Sequence, residues 1–152
     1  MSNLEIRLAT IDDLSDIELL ENSCEHDVYS KDIIKNSLNN KNYYNIVIVE
    51  NNKVIGYLSS MMVCDECELL KIVVDPYSRN NGIGSKLIEQ LKTHCEENKI
   101  TSIFLEVRKD NVAGIRLYEK ERFEIIGIRS GYYNGVDAIL YGCKLDDKKN
   151  QF

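Results

Sequence analysis

The chain has 152 residues, of which 43% are apolar and 29% are charged, so one compact domain with a buried core is expected. No apolar run reaches membrane-spanning length and the N-terminus lacks the apolar stretch of a signal peptide, which predicts a cytoplasmic protein without a membrane partner. The formal net charge of −6 argues against a direct nucleic-acid partner held through its phosphates, and it suits a cationic partner such as an amine or a basic peptide.

The five cysteines indicate neither a disulfide framework nor a complete zinc site. Their number is odd, which fits reduced thiols. Cys64 and Cys67 form a C-x-x-C pair, but a structural zinc needs a second pair of ligands. His94 and Cys95 could supply that pair only if the fold placed them next to the first two cysteines. We therefore expect no metal and interpret these cysteines as buried or turn thiols.

The chain begins with one predicted strand and two predicted helices. Residues 4–9 read as a short strand. Thr10 is a candidate N-cap for a helix that continues to about Cys24, with two aspartates in its first turn. Ser30 is a candidate N-cap for a second, shorter helix that ends at about Leu38.

Three predicted strands follow. The runs 44–50 and 54–63 are rich in β-branched residues, and the pair Asn51-Asn52 between them indicates a hairpin. The run 69–74 is apolar enough to be a central strand, and it ends at Asp75-Pro76.

The pattern then changes to helical spacing. Apolar residues repeat on one helical face from Gly84 to about Asn98. Residues 103–108 alternate between apolar and other side chains, which predicts a strand. Asn111 is a plausible N-cap for a helix from Val112 to Lys120.

The last two predicted strands, 124–132 and 136–145, flank Asn134-Gly135, the strongest short-range hairpin signal. The order β-α-α-β-β-β-α-β-α-β-β predicts a mixed α/β fold with one largely antiparallel central sheet flanked by helices. Because nothing in the sequence marks a domain boundary, we expect a single domain over 1–147, followed by a polar C-terminal tail, 148–152.

The stretch most informative about function is V-V-D-P-Y-S-R-N-N-G-I-G-S-K-L (73–87). A buried strand ends, a proline turn follows, and R-x-x-G-x-G opens a helix. Small residues let the backbone approach a diphosphate, and the free N–H groups of a helix N-terminus point at it. Arg79, Lys86 and Lys92 can add positive charge nearby.

Two familiar phosphate loops are excluded at this position. A dinucleotide-binding fingerprint needs a small third residue where this chain has Leu87. A P-loop needs Gly-Lys-Ser/Thr, whereas this chain has Gly84-Ser85-Lys86. The residues alone leave open an ordinary strand–turn–helix with glycines for tight packing.

R-x-x-G-x-G after this strand end resembles motif A of the GNAT superfamily of N-acetyltransferases, in which the loop holds the pyrophosphate of acetyl-CoA. The strings L-E-V-R-K-D-N-V-A-G-I-R-L-Y-E-K-E-R-F (105–123) and I-R-S-G-Y-Y-N-G-V-D-A-I-L (128–140) are similar to the RimI group. That group contains the bacterial ribosomal-protein alanine N-acetyltransferases. The resemblance covers residues 67–145 well, and the first 60 by pattern alone.

The resemblance implies roles for four side chains. Glu106 occupies the position of the general base and Tyr118 that of the general acid, which protonates the leaving sulfur. Tyr132 and Tyr133 match tyrosines that line the peptide slot. From the residues alone, Glu106 could equally be a carboxylate on a solvated sheet face, Tyr118 a packing ring and the tyrosine pair cross-strand aromatics.

The resemblance also implies the residues that bind the co-substrate acetyl-CoA. The backbone of β-strand 72–74 is expected to hold the pantetheine arm like an added strand, with one N–H facing the thioester oxygen. The full expected set is Ile72, Val73, Val74, Arg79, Asn80, Asn81, Gly82, Ile83, Gly84, Ser85, Asn111 and Tyr118.

The sequence departs from the family pattern at two places. Arg122-Phe123 stands where the family has Gly-Phe, and Val28-Tyr29 replaces a Pro-Trp that helps to select the peptide. The expected function is acetyl transfer to the N-terminal α-amine of a protein, with an alanine-starting ribosomal protein as acceptor and a monomer or weak dimer as the active form. The alternatives are a polyamine, an antibiotic or another small amine as acceptor, and a non-catalytic acyl-CoA-binding module.

Overall fold

The computed structural model describes residues 3–145, so the predicted tail 148–152 lies outside them. The predicted order of strands and helices is confirmed. The strands are β1 (Leu4–Leu8), β2 (Tyr43–Glu50), β3 (Lys53–Val63), β4 (Glu66–Val74), β5 (Ser102–Arg108), β6 (Glu124–Tyr133) and β7 (Val136–Lys144). The helices are α1 (Leu14–Glu21), α2 (Lys31–Leu38), α3 (Ile83–Glu97) and α4 (Val112–Lys120).

The seven strands form one sheet in the order β1-β2-β3-β4-β5-β7-β6. β4 and β5 pair in parallel, whereas the β1–β2, β2–β3, β5–β7 and β6–β7 pairs are antiparallel. The predicted mixed α/β fold with a largely antiparallel sheet is therefore confirmed. No helix between residues 3 and 145 is long and apolar enough to cross a membrane.

The first helical segment differs from its prediction at both ends. Thr10 caps a 3-10 turn, Ile11–Asp13, in which the Asp13 carboxylate accepts a hydrogen bond from the Thr10 N–H at 2.8 Å. The following α1 ends at Glu21 instead of Cys24, because the Cys24 N–H bonds the Glu21 carbonyl, three residues back, at 2.9 Å. This tighter bond closes the last turn of the helix.

Both predicted hairpin turns are confirmed by their backbone angles. Asn51 and Asn52 have φ values of 49° and 68°, and Asn134 and Gly135 have 49° and 96°. Two successive residues with positive φ are what a two-residue type I′ hairpin requires, and asparagine and glycine tolerate this conformation best.

Three of the thiols lie in a turn or in the interior, as the sequence predicts, whereas Cys24 and Cys143 are half-buried. Cys64 is exposed in the turn after β3 with φ of 55°, and Cys67 and Cys95 are buried. β4 begins at Glu66, three residues before the predicted start at 69, because the buried Cys67 pairs with Ile103 of β5. Within residues 3–145, no three His, Cys, Asp or Glu side chains could hold a metal ion.

The described chain divides into two compact units. The first comprises the residues through Met61 together with Lys71–Ile88, and the second comprises Met62–Leu70 and the described residues from Glu89 onward. The single domain over 1–147 stays a prediction. The core of the first unit is built from apolar side chains of α1, α2 and β2–β4, namely Ile17, Leu20, Ile34, Val47, Val54, Tyr57 and Val73. In the second unit, alternate residues of β5 are buried, namely Ile103, Leu105 and Val107.

Candidate active site

The candidate phosphate loop begins where β4 ends, in the first unit. Asp75 fixes this exit: its N–H donates to the Ile55 carbonyl at 2.8 Å, and its carboxylate accepts from the Tyr77 N–H at 3.2 Å. The same carboxylate pairs with Lys53 at 3.1 Å. Pro76 then starts a 3-10 turn, Pro76–Ser78, and its ring fixes φ for that turn. The loop therefore leaves the sheet in a defined direction.

The loop turns through two residues with left-handed backbone, Asn80 with φ of 65° and Gly82 with φ of 74°. A Cβ built on Gly82 would have no heavy atom within 4 Å, so the space beside this backbone is open. The first helical bond of α3 joins the Lys86 N–H to the Gly82 carbonyl at 3.0 Å. The preceding N–H groups, from Ile83 to Ser85, thus have no carbonyl partner within the helix. Open space beside free N–H groups fits an anion such as a phosphate.

Arg79, the basic residue within this loop, is exposed. Its Nε donates to the Val74 carbonyl at 3.4 Å, which places the guanidinium beside the end of β4. The Asn81 amide donates to the Ser78 carbonyl at 3.3 Å and so braces the loop from within. Of the contiguous loop residues predicted to bind acetyl-CoA, 79–82 are exposed, Gly84 and Ser85 are half-buried, and Ile83 is buried.

Gly56 of β3 is a residue of this site that our sequence interpretation does not single out. A Cβ built there would lie 3.2 Å from the Val73 carbonyl and 3.1 and 3.4 Å from the side chains of Ile48 and Ile83. A side chain here would push β4 and the start of α3 away from β3 by a few tenths of an ångström. An isolated glycine inside a β-branched run is the signal that could have identified it.

In the second unit, the strand register divides the predicted catalytic residues between two faces of the sheet. Leu105 lies opposite Tyr141 of β7, and Glu106 lies opposite Leu140. Directly opposed residues point to the same face, and successive residues point to opposite faces. Glu106 is therefore on the face opposite to Leu105 and Tyr141. We call the Glu106 side the open face and the other the helix face.

Tyr118 of α4 lies on the helix face. Its ring centroid is 6.3 Å from that of Tyr141, whose hydroxyl donates to the Glu119 carboxylate of the same helix at 3.0 Å. Its ring also makes an edge contact with Phe123 at 6.0 Å. Tyr118 is only 8% exposed, and this burial raises the pKa of its phenol well above the usual value of 10. The phenol is thus held protonated at neutral pH.

The N-cap prediction for α4 is confirmed. The Asn111 side-chain oxygen accepts a hydrogen bond from the Gly114 N–H at 2.9 Å. A Cβ on Gly114 would lie 2.7 Å from the Asn111 side-chain nitrogen, so the glycine makes room for the cap. Asn111 therefore fixes the start of the helix that carries Tyr118.

Glu106 is paired on the open face by a residue that the sequence interpretation misses. Arg129 of β6 places its Nη2 3.2 Å from Glu106 Oε1, and the side chains are 53% and 26% exposed, respectively. Arg129 and Arg108 both lie opposite Ala138 of β7, so they flank this small residue on one face. The pair depends on the register of three strands, which no local sequence pattern reports.

The tyrosine pair predicted to contact substrate lies beside these arginines. Tyr132 and Tyr133 are adjacent in the chain, yet their rings meet edge to face with centroids 5.0 Å apart. The β6–β7 register shifts between Arg129 and Tyr133, and Gly131 within the shift has φ of 63°. This irregularity breaks the alternation that would send the two rings to opposite faces. Arg129 lies 5.4 Å from the Tyr132 ring centroid and Arg108 lies 5.2 Å from that of Tyr133.

The first departure from the family pattern, Arg122, lies in the turn after α4. Arg122 has φ of 70°, a left-handed conformation that favours glycine, so the turn forms without the glycine.

The second departure, at Tyr29, is held by two side chains. Tyr29 donates its N–H to the Glu21 carboxylate at 3.0 Å, and its ring lies 4.7 Å from the Lys71 ammonium group. Lys71 in turn pairs with the buried Glu21 at 3.2 Å, which ties the α1–α2 segment to β4.

The structure thus brings the predicted residues together in two groups, each within one unit. The strand end and loop from Ile72 to Ser85 form one contiguous group in the first unit. In the second unit, Glu106 joins the tyrosine pair through Arg129, whereas Asn111 and Tyr118 belong to α4 on the helix face.

Comparison with known proteins identifies what this arrangement is similar to. The sequence model of the acetyltransferase (GNAT) family matches residues 11–122. The ribosomal protein bS18-alanine N-acetyltransferase of Escherichia coli (strain K12) is 35% identical over 96 residues, which are 63% of this chain and 65% of that protein. That of Haemophilus influenzae is 34% identical over 108 residues, 68% of this chain and 73% of the relative. The crystal structure of the ribosomal-protein-S18-alanine N-acetyltransferase from Escherichia coli matches with a TM-score of 0.89, 28% identity and 99% coverage of both chains. The chain thus matches slightly less than two thirds of the first relative's length by sequence.

Proposed function

Because the chain belongs to the acetyltransferase (GNAT) family, as its sequence predicts, we propose that it transfers the acetyl group of acetyl-CoA to the N-terminal α-amine of a protein. We propose an alanine-starting ribosomal protein as the acceptor. The similarity to two ribosomal protein bS18-alanine N-acetyltransferases carries this assignment, and the fold shared with the Escherichia coli enzyme over 99% of the chain supports it. Cytoplasmic localisation, and a monomer or weak dimer without nucleic-acid partner, remain predictions.

Acetyl-CoA supplies the acetyl group as a thioester, and the first unit offers groups that suit its phosphates. The free N–H groups of Ile83, Gly84 and Ser85 and the exposed Arg79 are donors for a diphosphate. The open space beside Gly82 supports close approach of an anion to the backbone. We assign pantetheine binding to the backbone of Ile72–Val74, and further contacts to Asn80, Asn81, Asn111 and Tyr118.

Glu106 acts as the general base in this proposal. An α-amine has a pKa of about 7.7–8.0, so about a tenth is already neutral at pH 7, against well under ~0.1% of lysine amines. The neutral nitrogen attacks the thioester carbon, the N–C bond forms and the C–S bond breaks. Glu106 takes the proton that the nitrogen loses, directly or through one water. A carboxylate is a sufficient base for this task because an α-amine is only weakly basic.

Tyr118 acts as the general acid and gives its phenolic proton to the departing sulfur. A phenol of ordinary pKa 10 facing a thiolate near 8.5 makes this transfer uphill by about 2 kcal/mol, and burial of Tyr118 increases that cost. The protonated phenol is nevertheless fully populated at neutral pH. Tyr132 and Tyr133 contact the acceptor peptide.

The test is acetyl transfer from acetyl-CoA to two short basic peptides, followed by mass spectrometry. One peptide has a free N-terminal alanine and no lysine, and the other has a blocked N-terminus and one lysine. We expect modification of the first alone, with a loss of about 100-fold or more in kcat for Glu106→Gln and Tyr118→Phe. Modification of the lysine peptide alone would contradict the N-terminal assignment. If neither peptide reacts, a screen of polyamines and other small amines follows, and a product there replaces the protein acceptor.

A further inference from the structure

We infer that Arg129 is a positioning residue for Glu106, which fixes the carboxylate that takes the proton and ties it to the tyrosine pair. This inference rests on the proposed role of Glu106 as general base. Arg129 itself does not contact the reacting atoms in this scheme. It acts through one ion pair, at 3.2 Å to Glu106 Oε1, and one ring contact, at 5.4 Å from the Tyr132 centroid.

The sheet is built so that the Arg129 side chain can reach Glu106 across an intervening strand. β7 lies between β5 and β6, and its Ala138 is opposite both Arg108 and Arg129. Glu106 is two residues from Arg108 on β5 and therefore lies on the same face. Ala138 is fully buried, and its methyl group is small enough for a guanidinium to pass over it. The diagonal contact from Arg129 to Glu106 thus depends on a small residue at this point of β7.

Arginine suits this position better than lysine. A guanidinium is a planar fork that can donate to a carboxylate from its edge while its face packs on an aromatic ring. Arg129 makes both contacts, with Glu106 and with Tyr132. A lysine ammonium could supply the charge but not the flat surface, so it would keep the ion pair and weaken the ring contact.

The ion pair prepares one carboxylate oxygen for proton transfer. A glutamate that is 26% exposed can sample several rotamers, and fixing it in one of them costs side-chain conformational entropy. Arg129 engages Oε1 through the ion pair at 3.2 Å. We assign the amine proton to Oε2, the other oxygen of the same carboxylate. Fixing the base in advance removes that ordering cost from the catalytic step.

Arg108 provides a matched control on the same face. It lies 5.2 Å from the Tyr133 ring and pairs with Asp110 at 3.0 Å, so it resembles Arg129 in charge and ring contact. The two arginines differ in the carboxylate with which they pair. A positioning role through Glu106 therefore predicts that Arg129, and not Arg108, is coupled to Glu106.

The experiment is a double-mutant cycle read by steady-state kinetics with the N-terminal alanine peptide. It uses Arg129→Met, Arg129→Lys, Glu106→Gln and the double variant, alongside Arg108→Met with and without Glu106→Gln. We expect Arg129→Met to lower kcat about 10-fold with the KM for acetyl-CoA unchanged, and Arg129→Lys to recover part of the loss. In the Glu106→Gln background, Arg129→Met should have no further effect, whereas any effect of Arg108→Met should be the same in both backgrounds.

The outcomes separate this inference from the proposed function. A normal kcat in Arg129→Met, or an equal loss in both Glu106 backgrounds, overturns the positioning role while leaving the base assignment intact. Full activity of Glu106→Gln overturns the base assignment itself. Failure of the unaltered protein to acetylate the peptide contradicts the proposed acceptor. Arg129→Gln takes the place of the Met variant if circular dichroism shows that Arg129→Met does not fold.

Discussion

Replacement of Arg122 by glycine should stabilise the protein. Helix α4 ends in a Schellman motif: the Phe123 N–H bonds the Tyr118 carbonyl at 2.9 Å, and the Arg122 N–H bonds the Glu119 carbonyl at 3.1 Å. The motif requires a left-handed residue at Arg122, which has φ of 70°. The ring contact between Phe123 and Tyr118 at 6.0 Å completes it.

The expected gain follows from two opposing terms. A non-glycine residue in the left-handed region costs about 1–2 kcal/mol, and glycine relieves this strain. Glycine also loses more backbone entropy on folding, which costs about 0.5–1 kcal/mol. The midpoints of these two ranges give a net gain for Arg122→Gly of about 0.75 kcal/mol, equivalent to a rise in Tm of about 1.5–3 °C for a chain of this size.

Chemical and thermal unfolding, followed by far-UV circular dichroism under reducing conditions, measure this gain. Arg122→Ala is the control, because it removes the same exposed side chain but keeps the Cβ and its strain. We expect the alanine variant to lie within about 0.5 kcal/mol of the unaltered protein. Equal stability of Arg122→Gly and Arg122→Ala would refute the strain argument.

Three further predictions concern other contacts. Lys71→Met should lower the free energy of unfolding by about 3 kcal/mol, measured in urea, because the buried Glu21 carboxylate loses its cation. Burial raises the pKa of Glu21, so protonation favours the folded state, and the deficit of this variant should shrink as the pH falls from 7 to 5. Gly82→Ala should raise the KM for acetyl-CoA several-fold. Gly135 is the control, because it also has a positive φ and open space at its Cβ position, and Gly135→Ala should leave that KM unchanged. In the pH–rate profile, kcat should not fall between pH 7 and about 10, because the raised pKa of Tyr118 keeps its phenol protonated.

Turns and caps are the parts of this fold that the sequence predicts most closely. Asn51-Asn52 and Asn134-Gly135 define their hairpins because few residue types tolerate two successive positive φ values. Ser30 and Asn111 define helix starts because their side-chain oxygens accept N–H groups of the first turn, from Ile33 at 3.2 Å and from Gly114 at 2.9 Å. Each of these signals acts within four residues of chain.

Contacts between distant segments are not predictable in the same way. The Glu106–Arg129 pair depends on the β5–β7–β6 register, and a slip of one residue would move Arg129 to the other face. The buried Glu21–Lys71 pair joins α1 to β4, and neither residue type is expected in the interior without its partner. Such pairs cannot be predicted from the sequence alone, because each one forms only when the fold brings two distant segments together.

The two proposed proton-transfer groups are each held by neighbours within the second unit. Arg129 holds Glu106 on the open face, and the Schellman motif of α4 holds the Tyr118 ring against Phe123 on the helix face. Val28-Tyr29, which we propose helps to select the peptide, belongs to the first unit, where Glu21 and Lys71 hold Tyr29. Substitutions in that segment can therefore change the preferred acceptor without disturbing the contacts that fix the base and the acid. Acceptor preference and proton transfer are, on this argument, separable by mutation.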